Sequence, residues 1–289
     1  MSSKPQIVVD FIVEQVKQHK EVRKDPLFVG IQGPQGSGKS HLSRLLEISL
    51  PSPPHSYKTL ILSLDDLYLP FQEQSSLSRQ HPSNDLLTGR GPPGTHDLPL
   101  ALEVFGKLRR REELTLPSYD KSLHDGRGDR VEGRMVVHGN LAKEVEIVIF
   151  EGWMVGFSPL AERHLVERWE NAKDGEWIKR YSLETLLDSN RRLIAYQALW
   201  KEIDCFVQIN PEKTDYVWEW RLEQEHNMKA KNGGKGMTDE EVKAFISRYM
   251  PSYELFQGGI HKKIAPNWKG HGLQITIGRG REVLDTQNF

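Results

Sequence analysis

Cysteine is almost absent from this chain. Cys205 is the only one among 289 residues, so no disulfide framework can form within the chain, and the composition suits a reducing compartment. Cytoplasmic residence is therefore expected, with the nucleus as the alternative. Cys205 lies inside the apolar run Cys205-Phe206-Val207-Gln208-Ile209, which reads as a buried strand rather than the setting of a nucleophile. Long hydrophobic runs are also lacking: no stretch approaches the roughly 18 apolar residues that span a bilayer, and the N-terminus lacks a signal-peptide core. Nor is there an excess of charge. With 39 basic and 40 acidic residues, the net charge of −1 argues against a nucleic-acid-coated or strongly basic membrane-binding surface, so neither nucleic acid nor membrane is an expected partner. No internal repeat is present. The length suits a single domain, 1–289, with insertions.

Against these absences stands Gly33-Pro34-Gln35-Gly36-Ser37-Gly38-Lys39-Ser40, a complete G-x-x-x-x-G-K-[ST] phosphate loop. The apolar run Leu27–Ile31 precedes it and His41-Leu42-Ser43-Arg44-Leu45-Leu46, with helical spacing, follows it. The motif thus has the strand-loop-helix setting it requires. Its glycines let backbone amides converge on an anion, Lys39 reaches terminal phosphates, and the Ser40 hydroxyl can join a magnesium shell. Residues 33–41, His41 included, are the expected nucleotide contacts, with ATP and Mg2+ as the expected cofactors.

Apolar segments at Leu27–Ile31, Thr59–Leu64, Val145–Phe150, Cys205–Ile209 and Gly272–Ile277 alternate with helical patterns at Leu98–Arg111, Leu183–Ile203, Thr214–Ala230 and Asp239–Met250. This alternation predicts an α/β fold with a parallel five-stranded sheet, helices on both faces and a helical lid. Residues 1–26 read as an N-terminal helical extension, 70–139 as a substrate-side insertion and 212–256 as the lid region. Within the insertion, Pro70 to Pro99 reads as a long ordered loop around a short helix, and Met135-Val136-Val137 as a short accessory strand. The Lys231–Lys235 stretch, with Asn232-Gly233-Gly234, reads as the lid's tip.

Several motifs occur in order: Gly33–Ser40, Ser63-Leu64-Asp65-Asp66-Leu67-Tyr68, Gly89-Arg90-Gly91-Pro92-Pro93-Gly94-Thr95-His96-Asp97, Pro117-Ser118-Tyr119-Asp120-Lys121 and Phe150-Glu151-Gly152-Trp153-Met154-Val155-Gly156-Phe157. Together they resemble the kinase branch of P-loop proteins that includes uridine kinase, phosphoribulokinase and pantothenate kinase. More closely they resemble the plant-type D-glycerate 3-kinase family and its fungal and bacterial relatives, from about Phe28 to the C-terminus. The resemblance implies a cytoplasmic ATP-dependent phosphotransferase acting on a small hydroxylated metabolite, glycerate or a related sugar acid. The sequence departs from the plant enzymes at Pro92, and this residue with the extra basic ones leaves room for a larger or phosphorylated substrate.

By similarity to the Asp-x-Phe-Tyr pattern of uridine kinases, Asp65 is assigned as catalytic base, with Asp66 secondary. Adjacent carboxylates at a strand end cannot both point the same way, so their roles should differ. Glu151 ends a strand expected beside the phosphate loop, where a carboxylate can reach the metal or its waters; Ser40, Asp65 and Glu151 form the expected metal set, and Lys39 and Arg221 complete the catalytic one. Asp66, Tyr68, Arg90, Thr95, His96, Asp97, Tyr119 and Arg130 are the expected substrate contacts. Arg90 offers a bidentate fork for a carboxylate. Arg221, on the lid, would bring positive charge over the transferring phosphates. Asn190, Leu193 and Tyr196, on one helical face, read as structural. A monomer is expected, with a dimer as the alternative. The competing reading is a catalytically silent ATP-binding regulatory or structural protein. A GTPase switch is disfavoured, since Asn210-Pro211-Glu212-Lys213 does not replace the missing Asn-Lys-x-Asp element.

Overall fold

The computed structural model describes residues 3–231, 233–234, 236–261 and 268–289. Its centre is a six-stranded sheet of β1 (Leu27–Gln32), β2 (Thr59–Ser63), β5 (Ile147–Gly152), β6 (Cys205–Pro211), β7 (Gly272–Ile277) and β8 (Val283–Asn288), in the order β2-β5-β1-β6-β7-β8. The first five strands are parallel, but β8 runs antiparallel to β7. The expected five-stranded parallel sheet is thereby corrected to a mixed six-stranded one. The physical reason is plain: β8 is Val-Leu-Asp-Thr-Gln-Asn, an edge strand with five exposed residues in six, so it carries no apolar run to announce it.

The central strands read as continuous apolar runs because both their faces are buried. Val29, Ile31, Ile149 and Val207 enter one core, and their alternates Phe28, Val148, Phe150 and Phe206 enter the other. On the first face pack α1 (Lys4–Val22), through Val8, Ile12 and Val16, and α2 (Lys39–Ser49), through Leu42 and Leu46. On the second face pack α4 (Leu98–Arg109) and α7 (Leu183–Trp200). Each begins on a side-chain cap: Asp97 accepts the Leu100 N–H at 3.0 Å, and Ser182 accepts that of Thr185 at 3.2 Å. Asn190 is a buried brace, donating to the Leu160 carbonyl and accepting its N–H at 2.9 and 2.8 Å.

The 70–139 stretch carries α3 (Phe71–Gln80), α4 and an antiparallel hairpin of β3 (Leu114–Asp120) and β4 (Asp129–Val137). A short helix, α5 (Gly139–Glu144), returns the chain to β5, and α6 (Glu162–Glu170) precedes α7. Between β6 and β7 lie α8 (Tyr216–Lys231), α9 (Asp239–Ser247) and α10 (Met250–Phe256); α9 opens on a capping box between Thr238 and Glu241. Asn232 and Lys235, within the expected lid tip, lie outside the described residues. No helix among the described residues is long and apolar enough to cross a membrane.

Candidate active site

The site lies where the carboxyl ends of β1, β2 and β5 meet, the place where an open α/β sheet leaves a crevice. β1 delivers Gly33–Ser40 directly into α2, whose N-cap is Gly38. Gly38 sits at φ 86° and Gly36 at φ 77°, left-handed conformations that side-chain-bearing residues resist. Gly36 also has no space for a side chain, since a Cβ there would come within 2.4 Å of Trp220 Cβ on α8. The outcome is a loop whose amide groups gather at the helix N-terminus, a natural seat for anionic phosphate.

Lys39 opens α2, and its ammonium lies 2.8 Å from Glu151 Oε2 at the end of β5. Both side chains are largely buried, at 14% and 9% exposure, so the pair is a fixed charge couple rather than a surface accident. β2 ends at Ser63, paired with Glu151 in the neighbouring strand, and the chain turns at once through a short helix, Leu64–Leu67. Ser63 caps that helix by accepting the Asp65 N–H at 3.2 Å. The Asp65 carboxylate then accepts the Tyr68 hydroxyl at 2.9 Å and an ammonium hydrogen from Lys121 at the end of the β3 strand. Burial pushes the Asp65 carboxyl up, but the charges of Lys121 and Lys39 and the Tyr68 hydroxyl outweigh it and hold it well below the usual carboxylate range. Lys121 is correspondingly raised by Asp65. Asp66 differs, as two neighbouring carboxylates must: its Oδ1 accepts the Tyr119 N–H at 3.3 Å and ties the helix to β3.

Residues 90–97 wrap against this cluster. Tyr68 stacks on His96 with ring centroids 4.6 Å apart, and the two residues pair as a short antiparallel bridge. Burial pushes the His96 imidazole down to about 3, partly opposed by Asp65, so the ring is neutral near pH 7. The Tyr196 oxygen accepts the Gly94 N–H at 2.9 Å and shares a hydrogen bond with His96 Nδ1 at 2.7 Å. His96 Nε2 is a buried atom with no hydrogen-bond partner among the described residues. Thr95 is internal to its turn, donating to Pro92 O and accepting the Gly91 N–H. Asp97 accepts from Arg130 at 3.0 Å, and Arg130 also donates to Tyr68 O, so this pair locks β4 to the turn. Tyr119 meets Tyr68 edge-on at 5.3 Å, and Arg90 lies 5.8 Å over the Tyr119 ring while donating to Gly126 O.

The 212–256 helices close the other side. Tyr253 on α10 accepts the Gln35 N–H at 3.2 Å, and Trp153 packs edge-on against both Tyr249 and Tyr253. Trp153, 3% exposed, therefore belongs to the core. Arg221 is held within these helices: it pairs with buried Glu225 at 2.8 Å and lies over Phe245 at 5.4 Å. Three cations were given no site role in the sequence reading. Lys121 closes the Pro117-Ser118-Tyr119-Asp120-Lys121 motif, and that membership was its available signal. Lys4, at the start of α1, donates to Ser37 O at 3.1 Å, and Arg281, in the β7–β8 turn, donates to Gly36 O at 2.7 Å. They reach the loop from opposite ends of the chain and each holds one of its carbonyls. A cavity of about 520 Å³ beside the loop is lined by Gly36, Lys39, Ser40, His41, Asn227 and Arg281 among others.

No family model matches the chain. It is 38% identical over 283 residues to an uncharacterized kinase of Schizosaccharomyces pombe, covering 96% of each chain. It is 36% identical over 255 residues to the chloroplastic D-glycerate 3-kinase of Arabidopsis thaliana, covering 84% of this chain and 51% of the other. The solved structure of a D-glycerate 3-kinase from Cryptococcus neoformans var. grubii superposes with a TM-score of 0.93 at 44% identity, covering 100% of both chains. The phosphate loop, the charged strand ends and these likenesses agree: the chain belongs to the P-loop kinase family of D-glycerate 3-kinase and its fungal relatives, within the uridine and pantothenate kinase superfamily, and is an ATP-dependent kinase of a small hydroxylated metabolite.

Proposed function

We propose that the protein transfers the terminal phosphoryl group of ATP to a hydroxyl of a small hydroxy acid, D-glycerate in the first instance. The observation that carries this reading is the placement of Lys39: it is ion-paired with Glu151 and lies within the electrostatic reach of Asp65. Nucleotide phosphates and an acceptor hydroxyl would therefore meet at one point. The loop amides and Lys39 bind the phosphates. Ser40, Asp65 and Glu151 offer hard oxygen donors that suit Mg2+, which would neutralise charge on the phosphate oxygens and fill its remaining positions with water. Among the described residues no group of three or more His, Cys, Asp or Glu side chains could by itself hold a metal ion.

Asp65 receives the acceptor hydroxyl. The hydroxyl oxygen bonds to the terminal phosphorus, the bond to the bridging oxygen breaks, ADP leaves, and the hydroxyl proton passes to Asp65. A carboxylate held so far below its usual range is a weak base, so its main contribution is to orient the hydroxyl, which suits a loose transition state with late proton loss. Lys121, 55% exposed and already beside Asp65, is the cation best placed for the acceptor's carboxylate, with Arg90 behind it. The unpartnered His96 Nε2 is a further polar atom for that acid.

The test separates binding from transfer. Lys39→Ala should weaken ATP binding at least tenfold in calorimetry. Asp65→Asn should keep ATP affinity within about threefold while lowering turnover about 10²–10⁴-fold, the range for a positioned acid or base. Intact ATP affinity in the Lys39 variant, or undiminished turnover in the Asp65 variant, contradicts the assignment.

A further inference from the structure

A second cavity, of about 440 Å³, opens between α3, the Gly89-Arg90 segment, the 126–127 turn and α9. Four of the side chains in its wall are arginines, Arg79, Arg90, Arg127 and Arg248, and none of its wall residues is acidic. Elsewhere on this molecule exposed arginines pair with carboxylates: Arg110 with Glu112, Arg168 with Glu176, Arg191 with Glu162 and Arg279 with Glu219. The four cavity arginines have no such ion pair among the described residues. Three of them are braced by aromatic faces and backbone instead. Arg127 lies 4.6 Å over Phe71 and donates to His124 O, Arg248 lies 5.7 Å over Phe245, and Arg90 lies over Tyr119. Guanidinium groups gathered in one cavity wall without counter-charge repel one another, and an anion between them relieves that repulsion.

A chain of aromatic contacts links the cavity wall to the transfer centre. From Asp65 the contact runs to the Tyr68 hydroxyl at 2.9 Å, on to Tyr119 at 5.3 Å and then to Arg90 at 5.8 Å, and Arg90 forms part of the cavity wall. A single carboxylate engages one arginine fork, whereas a phosphate monoester brings close to two negative charges and three acceptor oxygens. The charge and donor count of this wall match the second.

We propose that the arginine cavity is a phosphate-monoester subsite of the acceptor site, so that the protein also takes phosphorylated hydroxy acids or polyols whose free hydroxyl reaches Asp65. This rests on the reading of Asp65 as the transfer centre. The test is calorimetry on protein loaded with Mg2+ and a non-hydrolysable ATP analogue, which occupies the phosphate loop. Glycerol 3-phosphate, glycerol and tartrate are titrated in turn. Glycerol 3-phosphate should bind with one-to-one stoichiometry and at least about tenfold more tightly than glycerol or tartrate. Arg127→Gln and Arg248→Gln should each weaken it about tenfold, the order of one lost charge-assisted contact, while affinity for the nucleotide analogue reports that the fold is intact. Equal binding of glycerol and its phosphate, equal binding of tartrate, or indifference to both substitutions would overturn the subsite. Turnover of D-glycerate is measured separately. Turnover without arginine-dependent phosphate binding removes only the subsite; such binding without turnover removes only the glycerate reading.

Discussion

Asp65 and His96 share one polar cluster yet are held in opposite senses. Asp65 is kept ionised by the cations around it, and His96 is kept neutral by burial. For His96 the linkage sign is definite. The unfolded ring binds a proton below its ordinary value of 6.5, while the folded ring stays neutral down to about 3. The unfolded state therefore holds more protons throughout that interval, and stability falls as pH falls from 6.5 toward 3. At pH 5 this one group costs about 2 kcal/mol relative to neutral pH. His96→Gln should remove that share, so urea midpoints of variant and wild type should converge on acidification from pH 7.5 to 5. Parallel loss in both proteins would show that His96 does not titrate this way. In the neutral state the unpartnered Nε2 carries no charge into the buried cluster, which links the stability argument to the site. His96 was legible as a site residue through the Gly-Thr-His-Asp run, but its hydrogen-bond partner was not. That partner is Tyr196, 100 residues away along the chain.

At the scale of elements, the phosphate loop depends on more than its own letters. Its strand and helix were legible because periodicity and glycine spacing are local, and the same holds for α1, α4, α7 and the five parallel strands. The supports of the loop were not. Lys4 belongs to α1 and Arg281 to a turn of a polar edge hairpin, and only the folded sheet brings both to the carbonyls of Ser37 and Gly36. Burial first, then the nearby Arg281 charge, lowers the Lys4 ammonium from its ordinary value, as expected for two cations sharing one loop. These contacts fix two of the loop's carbonyls in place. Lys4→Met should raise the KM for ATP about three- to tenfold with little change in kcat at saturation, since one partly buried hydrogen bond to a charged group is lost. A fall in kcat with unchanged KM would assign Lys4 a different role. The β8 strand escaped notice for a related reason: an exposed edge strand needs no apolar alternation, only a partner to pair with.

At the scale of the whole molecule, the sheet order places β1, β2 and β5 side by side, so three separated sequence motifs end within one crevice. Burying both faces of β1 and β5 fixes their ends rigidly, and the chemistry stands on these rigid ends. The 70–139 stretch and the 212–256 helices then wall the crevice from two sides. The first side bears Lys121, the other bears Trp220, Tyr249 and Tyr253, and the arginine cavity lies between the two. The central claim is that this crevice brings ATP and an acceptor hydroxyl together for direct transfer. It is tested most directly by incubating the protein with ATP, Mg2+ and D-glycerate and identifying products by mass spectrometry, with Asp65→Asn in parallel. The account predicts a singly phosphorylated glycerate formed in step with ADP by the wild type, and suppressed at least about 10²-fold in the variant. ADP released without phosphoglycerate, or equal transfer by both proteins, would contradict it.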